Sequence, residues 1–239
     1  MGQEPGKGEL VRGIFNDIAD GYDGANRLMS LGRDARWRAI VASHCALSPG
    51  GSVLDLCCGT GELSFALAGA APGVRVTGLD FSSEMLARAH EKNASRGLEK
   101  QVTFIEADAT VLPFPDASFD ATTVGWGLRN VPDLGATLRE MVRVTRPGGR
   151  VISIDMGHPS LPLIAWVYWK FSSLFVPAVG SLVARNAPAY QYLHESSKAF
   201  IDQTELAQRF KDCSLTELHI RNFMGGAVAL VEGRKPSIS

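Results

Sequence analysis

The chain has 239 residues, enough to bury one substantial hydrophobic core, so one folded domain spanning residues 1–239 is expected. Hydrophobic residues make up 45% and charged residues 21% of the chain, which excludes a disordered or fibrous protein. The formal net charge is −1, and the sequence lacks the long runs of Lys or Arg that nucleic acid selects. Nucleic acid is therefore not an expected partner.

The N-terminal residues and the cysteines indicate the compartment. Residues 1–7 are polar and rich in glycine, without the apolar segment of a secretory signal. The four cysteines form no CxxC pair, and no His cluster accompanies them, so reduced thiols and no metal site are expected. Together these features predict a cytoplasmic protein.

In chain order, the pattern begins with helices and changes to alternating strands and helices. Residues 9–20 and 35–45 carry apolar residues at helical spacing. From Gly51 onward, short apolar runs alternate with longer amphipathic segments, which predicts a parallel sheet covered by helices. The predicted strands are 52–56, 75–79, 102–106, 119–124 and 149–155, and the predicted helices are 62–69, 83–96 and 134–145. A helix at 204–210 and strands at 215–220 and 227–231 complete a seven-stranded sheet.

Residues 161–184 form an irregular apolar stretch that approaches the hydropathy of a transmembrane segment. Lys170 and the prolines Pro162 and Pro177 lower its apolarity and are expected to interrupt a helix. One interpretation is a buried pair of helices. The other is an apolar lid or a surface that contacts a membrane, formed by Trp166, Trp169, Phe171 and Phe175. The sequence leaves both open.

A buried strand, a glycine turn and a helix follow one another in residues 53–62, which is an arrangement that binds nucleotides. Gly59 and Gly61 let the backbone approach a ligand, with Thr60 between them, and the helix N-terminus offers unpaired amides. A dinucleotide fingerprint would place a third glycine at position 64, which is Ser64 here, so hydride chemistry loses support.

Acidic residues at strand ends extend this candidate nucleotide site. Asp80 ends the second strand about 20 residues after the turn, where a carboxylate can bind ribose hydroxyls. Asp108 and Ala109 follow the third strand and can bind the amine and ring of adenine. Asp55 is expected to orient the cofactor or the loop amides, with a structural hydrogen bond as the alternative. Phe81 and Met85 are expected to pack against the adenine face.

The order of these motifs resembles the class I S-adenosylmethionine methyltransferases. The motifs that carry this resemblance are Asp55 to Gly61, Leu79-Asp80, Asp108-Ala109 and Pro147-Gly148-Gly149. A more specific resemblance, to the C-methyltransferases of ubiquinone and menaquinone biosynthesis, rests on residues 22–32 with Trp37, and on residues 127–133, 143–149 and 225–230.

The resemblance implies a doubly wound, mostly parallel, Rossmann-like α/β fold. Residues 1–48 would be accessory helices closing over the substrate, 49–156 the cofactor-binding core, 157–203 a helical insertion forming an apolar lid, and 204–239 the last helix and strands. The chain departs from the family pattern at Ala25, Asp34, Asp155 and Gly157, and at Gly125, where many members carry a cofactor-contacting Ser. Only the backbone of Gly125 is therefore expected to contact the cofactor.

The implied activity is methylation of a ring carbon of a prenylated quinol, with S-adenosyl-L-methionine as cofactor. Arg129 and Asn130 follow the fourth strand, at the edge of the sheet where such folds bind ligands. Arg129 is expected to stabilise the ionised ring hydroxyl, while Asn130 orients the oxygen or a water that removes the proton. Tyr22 is expected to close over the acceptor. An Arg-Asn pair that ties down a loop is the structural alternative.

Other functions remain open at this stage. The same core can methylate a sterol or a phenol, a nicotinamide-dependent oxidoreductase shares parts of the pattern, and a noncatalytic member of a quinone-synthesis complex would retain the fold. Contact with the membrane surface and a homodimer are further expectations that the sequence leaves open.

Overall fold

The computed structural model describes residues 6–182 and 186–237. Most of the polar N-terminal tail and Ala184, the last residue of the apolar stretch, lie outside the described residues.

Within the described residues, helices and strands alternate through most of the chain. The helices are α1 (Lys7–Ile18), α2 (Tyr22–Met29), α3 (Asp34–His44), α4 (Glu62–Ala68), α5 (Ser83–Arg96), α6 (Leu134–Val144), α7 (Pro162–Leu182), α8 (Ala187–Ala199) and α9 (Gln203–Asp212). The strands are β1 (Ser52–Leu56), β2 (Arg75–Asp80), β3 (Val102–Glu106), β4 (Phe119–Gly125), β5 (Thr145–Met156), β6 (Thr216–Phe223) and β7 (Val228–Arg234).

The strands form one seven-stranded sheet in the order β3-β2-β1-β4-β5-β7-β6. The pairs from β3 to β5 are parallel, and β7 runs antiparallel to both of its neighbours. The predicted doubly wound, mostly parallel α/β fold is therefore confirmed. The chain leaves β1 toward β2 and returns on the other side at β4, so the direction of winding changes between β1 and β4. Folds of this kind bind ligands outside the carboxyl ends of the strands at such a point.

Each face of the sheet carries its own hydrophobic cluster. Val53 and Ile152 face α3, α4 and α5, whereas Leu54 and Val124 face α6 and α9. All five residues of β1 are buried, as expected for a central strand covered on both faces.

A third cluster joins the N-terminal helices to the insertion above the carboxyl edge of the sheet. Phe15 and Ile18 of α1 and Ala25 of α2 pack there with Met85 of α5 and Tyr190 of α8. The helix α2 is short and rich in residues that favour other conformations, and no helix was predicted at exactly these residues. The buried Ala25 and contacts with the core stabilise it instead.

The insertion is a pair of packed helices, of which α8 is partly buried and α7 is largely exposed. Pro177 lies inside α7, so the expectation that the prolines interrupt the helix is wrong. Among the described residues, α7 is long and apolar enough to cross a membrane by length and composition, yet only 17% of its most apolar window is buried. Trp166, Phe171 and Leu174 are each more than half exposed, so the interpretation as a buried helix pair is also wrong.

Packing inside the core requires a glycine in the turn after β1. Gly61 adopts φ +84°, and a Cβ atom there would lie 2.7 Å from Cζ of Phe104. An added methyl group would thus meet both a left-handed backbone and a buried ring.

Gly61→Ala is expected to lower the free energy of unfolding by about 2–4 kcal/mol, measured by urea denaturation. Gly69→Ala is the matched control, because Gly69 ends the same helix with a right-handed backbone and its added Cβ would make an ordinary contact with Ala66. That substitution is expected to be neutral or slightly stabilising. Equal effects of the two substitutions would contradict the packing argument.

Candidate functional site

The loops that follow the strands are held by a buried carboxylate at the end of β2. Asp80 is 5% exposed, and its oxygens accept hydrogen bonds from the backbone amides of Gly59 at 2.8 Å and Ser82 at 2.9 Å. Burial raises the pKa of Asp80, and these amides partly offset the increase. The carboxylate fixes the glycine turn beside the start of α5.

A cavity of about 670 Å³ lies outside the carboxyl ends of β1 to β4, and we call it the strand-end cavity. Its walls come from the loops after these strands, and α1 and Tyr22 cover it. The volume is within the range of sites that bind small molecules, roughly 300–1,000 Å³. The predicted site residues that line it are Tyr22, Gly59, Asp80, Phe81, Met85, Asp108, Ala109, Gly125 and Asn130.

Three residues predicted to bind the cofactor are not among the residues lining the strand-end cavity. Asp55 accepts hydrogen bonds from Ser64 at 2.7 Å and Thr123 at 3.0 Å, which is the structural alternative for this residue. Thr60 donates a hydrogen bond to Asp23 at 2.6 Å. Asp55 and Thr60 lie beside a smaller neighbouring cavity. Gly61 packs against Phe104 instead.

The loops after β1 and β4 approach each other closely at the point where the winding changes direction. Cys57 and Trp126 both adopt left-handed backbones, with φ of 51° and 56°, which are uncommon for residues other than glycine. A Cβ on Gly127 would lie 2.4 Å from Cβ of Cys57, so only glycine fits there. The backbone amide of Trp126 donates to the carbonyl of Ile154 at 2.7 Å, which holds this residue where the two loops meet.

A second cavity, of about 230 Å³, lies on the other side of Tyr22 and Trp126, and we call it the aromatic cavity. Aromatic side chains from the N-terminal helices, from the loop after β4 and from α7 line it, namely Tyr22, Trp37, Trp126, Tyr168, Trp169, Phe171 and Phe175. Arg38 stacks on the ring of Trp126 at 5.8 Å. Tyr22 and Trp126 also line the strand-end cavity, so the two cavities share these walls.

Arg129 contributes a buried positive charge to the aromatic cavity. Its Nη1 lies 2.7 Å from Oδ1 of Asp155, donates to the carbonyl of Trp126 at 2.6 Å, and its side chain is 7% exposed. Burial raises the pKa of Asp155, while Arg129 acts in the opposite direction. Arg129 therefore lines the aromatic cavity, whereas its neighbour Asn130 lines the strand-end cavity.

Several phenol groups surround Arg129. Burial raises the pKa of Tyr22, and it raises that of Tyr168 to about 12, while the guanidinium lowers both. Both hydroxyls consequently stay protonated near neutral pH and can donate hydrogen bonds.

Sequence reasoning missed other residues of the aromatic cavity. The pKa of His194 is lowered by burial and by Lys198, so its imidazole is neutral near pH 7 and can accept a proton. Its Nδ1 lies 3.2 Å from Oγ of Ser172. Neither residue carries a recognisable motif, since only the packing of α7 on α8 brings them together. The sequence carries only a weak signal for Trp126, which is a large residue between two glycines at the end of a strand.

Polar contacts fasten the N-terminal helices over the strand-end cavity. Arg12 of α1 donates to the carbonyl of Phe81 and to Glu106, both at 2.7 Å. Asp23 of α2 pairs with Lys92 of α5 in addition to Thr60. Over residues 6–182 and 186–237, no group of three or more His, Cys, Asp or Glu side chains is arranged to hold a metal ion.

Comparison with known proteins identifies the family. The model of the ubiE/COQ5 methyltransferase family matches residues 3–235. The chain belongs to this family. The chain is 46% identical over 231 residues to the demethylmenaquinone methyltransferase of Desulfitobacterium hafniense strain Y51, covering 96% of this chain and 91% of that relative. The protein of the same name from Bacillus cytotoxicus is 39% identical, with 96% and 97% covered.

Solved structures agree with the fold of this ubiE/COQ5 methyltransferase. A putative methyltransferase from Bacillus halodurans C-125 superposes with a TM-score of 0.62 at 18% identity, covering 84% of this chain and 99% of that chain. Family membership confirms the resemblance described above and removes the support for a nicotinamide-dependent oxidoreductase.

The buried carboxyl group of Asp55 predicts a pH dependence of stability. Burial raises its pKa from 3.8 to about 7, partly offset by Ser64 and Thr123. Between pH 4 and 7 the folded protein thus holds a proton that the unfolded chain releases, so stability falls as pH rises. From pH 5 to 7, Asp55 is expected to contribute a loss of about 2 kcal/mol.

Urea unfolding at both pH values tests this expectation. Asp55→Asn should lose less stability than the unchanged protein between pH 5 and pH 7. Asp212→Asn, which removes an exposed carboxylate on α9, is the control and should keep the original slope. The expectation fails if Asp55→Asn has the same slope as the unchanged protein.

Proposed function

We propose that this methyltransferase transfers a methyl group from S-adenosyl-L-methionine to a ring carbon of demethylmenaquinol, a prenylated naphthoquinol. The observation that carries the proposal is the pair of cavities that meet at Tyr22 and Trp126. A donor on one side of this junction and an aromatic acceptor on the other would bring the methyl group and the ring carbon together. The names of the relatives support a naphthoquinol over a benzoquinol.

The strand-end cavity fits an adenosyl group. The buried carboxylate of Asp80 lies in its wall, where it can accept hydrogen bonds from ribose hydroxyls, and Phe81 and Met85 supply apolar surface. Gly125 leaves its part of the wall without a side chain, and a Cβ there would already lie 3.1 Å from Leu63. S-adenosyl-L-methionine, when bound, would supply a methyl group on a positively charged sulfur.

The lining of the aromatic cavity suits the flat ring of a prenylated quinol. Its aromatic walls favour a flat apolar ring, and the guanidinium of Arg129 places a buried cation in its lining. Attack by a ring carbon needs electron density, which ionisation of a neighbouring ring hydroxyl provides. Arg129 would stabilise the resulting oxygen anion, and it cannot itself act as the base.

Tyr22 would exclude water and donate a hydrogen bond at the junction, because its hydroxyl stays protonated. Asn130 lines the strand-end cavity and donates to the carbonyl of Trp126 in the shared wall. There it would contact the same oxygen or a water that removes its proton. The ring proton is released after the new carbon–carbon bond forms.

Transfer of a labelled methyl group tests the proposal. Purified protein with methyl-labelled S-adenosyl-L-methionine is expected to label demethylmenaquinol, and to label a benzoquinol with the same tail much less. Labelling of only the benzoquinol would move the assignment to ubiquinone synthesis. No labelling of either quinol, despite binding of the donor, would refute it in favour of another acceptor or a noncatalytic role.

Two substitutions should separate the roles of the two cavities. Asp80→Asn is expected to weaken the binding of S-adenosylhomocysteine by roughly tenfold, because the charge-assisted acceptor is lost. Arg129→Lys keeps a cation beside Asp155 but loses the planar guanidinium, so it should lower kcat at least tenfold with unchanged affinity for S-adenosylhomocysteine. Calorimetry measures the affinity for S-adenosylhomocysteine, and steady-state kinetics measure kcat. A loss of affinity in Arg129→Lys would contradict this division.

We also infer that the protein binds the surface of an anionic membrane through α7 and the neighbouring loop. Leu31 and Phe171 are both more than half exposed and both line the aromatic cavity, so its mouth opens on this surface. The exposed residues Arg27, Arg33 and Arg36 flank Leu31. An apolar patch with arginines at its border suits a bilayer with anionic headgroups, from which a prenylated quinol could enter directly.

Vesicle sedimentation tests this inference. Binding is expected with phosphatidylglycerol vesicles, and it should weaken as salt rises and with pure phosphatidylcholine. Trp166→Ser, in the exposed face of α7, should weaken binding about tenfold or more, whereas Ile220→Ser on β6 should leave it unchanged. Undiminished binding of Trp166→Ser would refute the assignment of this surface.

A further inference from the structure

A tyrosine of the insertion reaches the loop that carries the predicted catalytic residues. The hydroxyl of Tyr192 in α8 donates a hydrogen bond to Oδ1 of Asn130 at 3.3 Å. The side-chain amide of Asn130 donates in turn to the carbonyl of Trp126, also at 3.3 Å. Asn130 is 7% exposed and lines the strand-end cavity next to the junction.

These two hydrogen bonds have opposite polarity, and together they define how the amide is oriented. A primary amide carries two donor hydrogens and an oxygen that accepts. The hydroxyl of Tyr192 donates to the amide oxygen, and the carbonyl of Trp126 accepts one of the amide hydrogens. The second hydrogen of Nδ2 therefore remains for another acceptor. If the amide turned over, its nitrogen would face the hydroxyl and its oxygen would face a carbonyl, which places two acceptors together.

We propose that Tyr192 is a positioning residue, which holds the amide of Asn130 so that its N–H group faces the acceptor's oxygen as negative charge develops there. This inference rests on the proposed function. Through this contact the insertion has a part in the chemistry as well as in covering the acceptor. The hydrogen bond would strengthen as the oxygen ionises, because donors to an anion bind more strongly than donors to a neutral oxygen.

The same helix provides a matched control. Tyr190 lies two residues earlier in α8, and its buried hydroxyl has no hydrogen-bond partner among the described residues. Tyr192→Phe and Tyr190→Phe each remove one oxygen and keep the ring. Only the first removes a contact with Asn130.

Steady-state kinetics with demethylmenaquinol distinguish positioning from packing. Tyr192→Phe is expected to lower kcat roughly three- to tenfold, the range of one hydrogen bond, with KM for the quinol and affinity for S-adenosylhomocysteine within about twofold. The acidic limb of the kcat–pH profile should move upward by about half to one pH unit, because the ionised quinol is less stabilised. Tyr190→Phe should leave kcat, KM and the profile unchanged.

A double-mutant cycle tests whether the effect passes through Asn130. In single-turnover measurements, Tyr192→Phe should cause no further loss in the Asn130→Ala background. Unchanged kcat in Tyr192→Phe, or a full additional loss in that background, would overturn the positioning role while leaving the methyl transfer itself intact. Failure of the unchanged protein to methylate demethylmenaquinol would overturn the proposed function instead.

Discussion

Three buried aspartate side chains near the carboxyl edge of the sheet each bind donors from neighbouring elements, and the structure of the site depends on these contacts. An unpaired charge or hydrogen-bond acceptor inside a protein is costly, so each carboxylate has to hold donors in place. Asp55 at the end of β1 holds the hydroxyls of Ser64 and Thr123, Asp80 holds two loop amides, and Asp155 holds Arg129. The contact of Asp55 with Thr123 joins β1 to β4, and the other contacts fix a loop or a helix relative to a strand.

The covering helices depend on a different balance of forces. They pack through a separate apolar cluster, in which Met85 of the core meets Phe15 and Tyr190. Ion pairs at the rim, such as Arg12 with Glu106, join these helices to the strand ends. Exposed pairs of this kind contribute little free energy individually, so the apolar cluster accounts for most of the attachment of these helices.

The sequence predicted the sheet well because strand periodicity is a local signal. The strands β1 to β5, the glycine turn and the acidic strand ends all followed from alternation of short apolar runs with amphipathic segments. The insertion was harder, because the apolar composition of α7 is the same for a buried helix, a lid or a membrane-facing helix. Pro177 was expected to break a helix that in fact continues through it.

Individual side chains of the site were predictable only in part. The positions of Asp80, Asp108 and Asn130 followed from strand ends, which meet at one edge of a parallel sheet. The contacts of Asp55 with Thr123 and of Thr60 with Asp23 could not be predicted, because these partners are distant in sequence. His194 and Tyr192 reach the site only through the packing of two helices, which no motif encodes.

The wall shared by the two cavities has a thermodynamic consequence. A ligand that displaces the ring of Tyr22 or Trp126 on one side changes the space available on the other. The two binding equilibria are then linked, and linkage is reciprocal: whatever factor the first ligand applies to the affinity of the second, the second applies equally to the first. Any coupling between the binding of the donor and the binding of the acceptor would therefore pass through this shared wall.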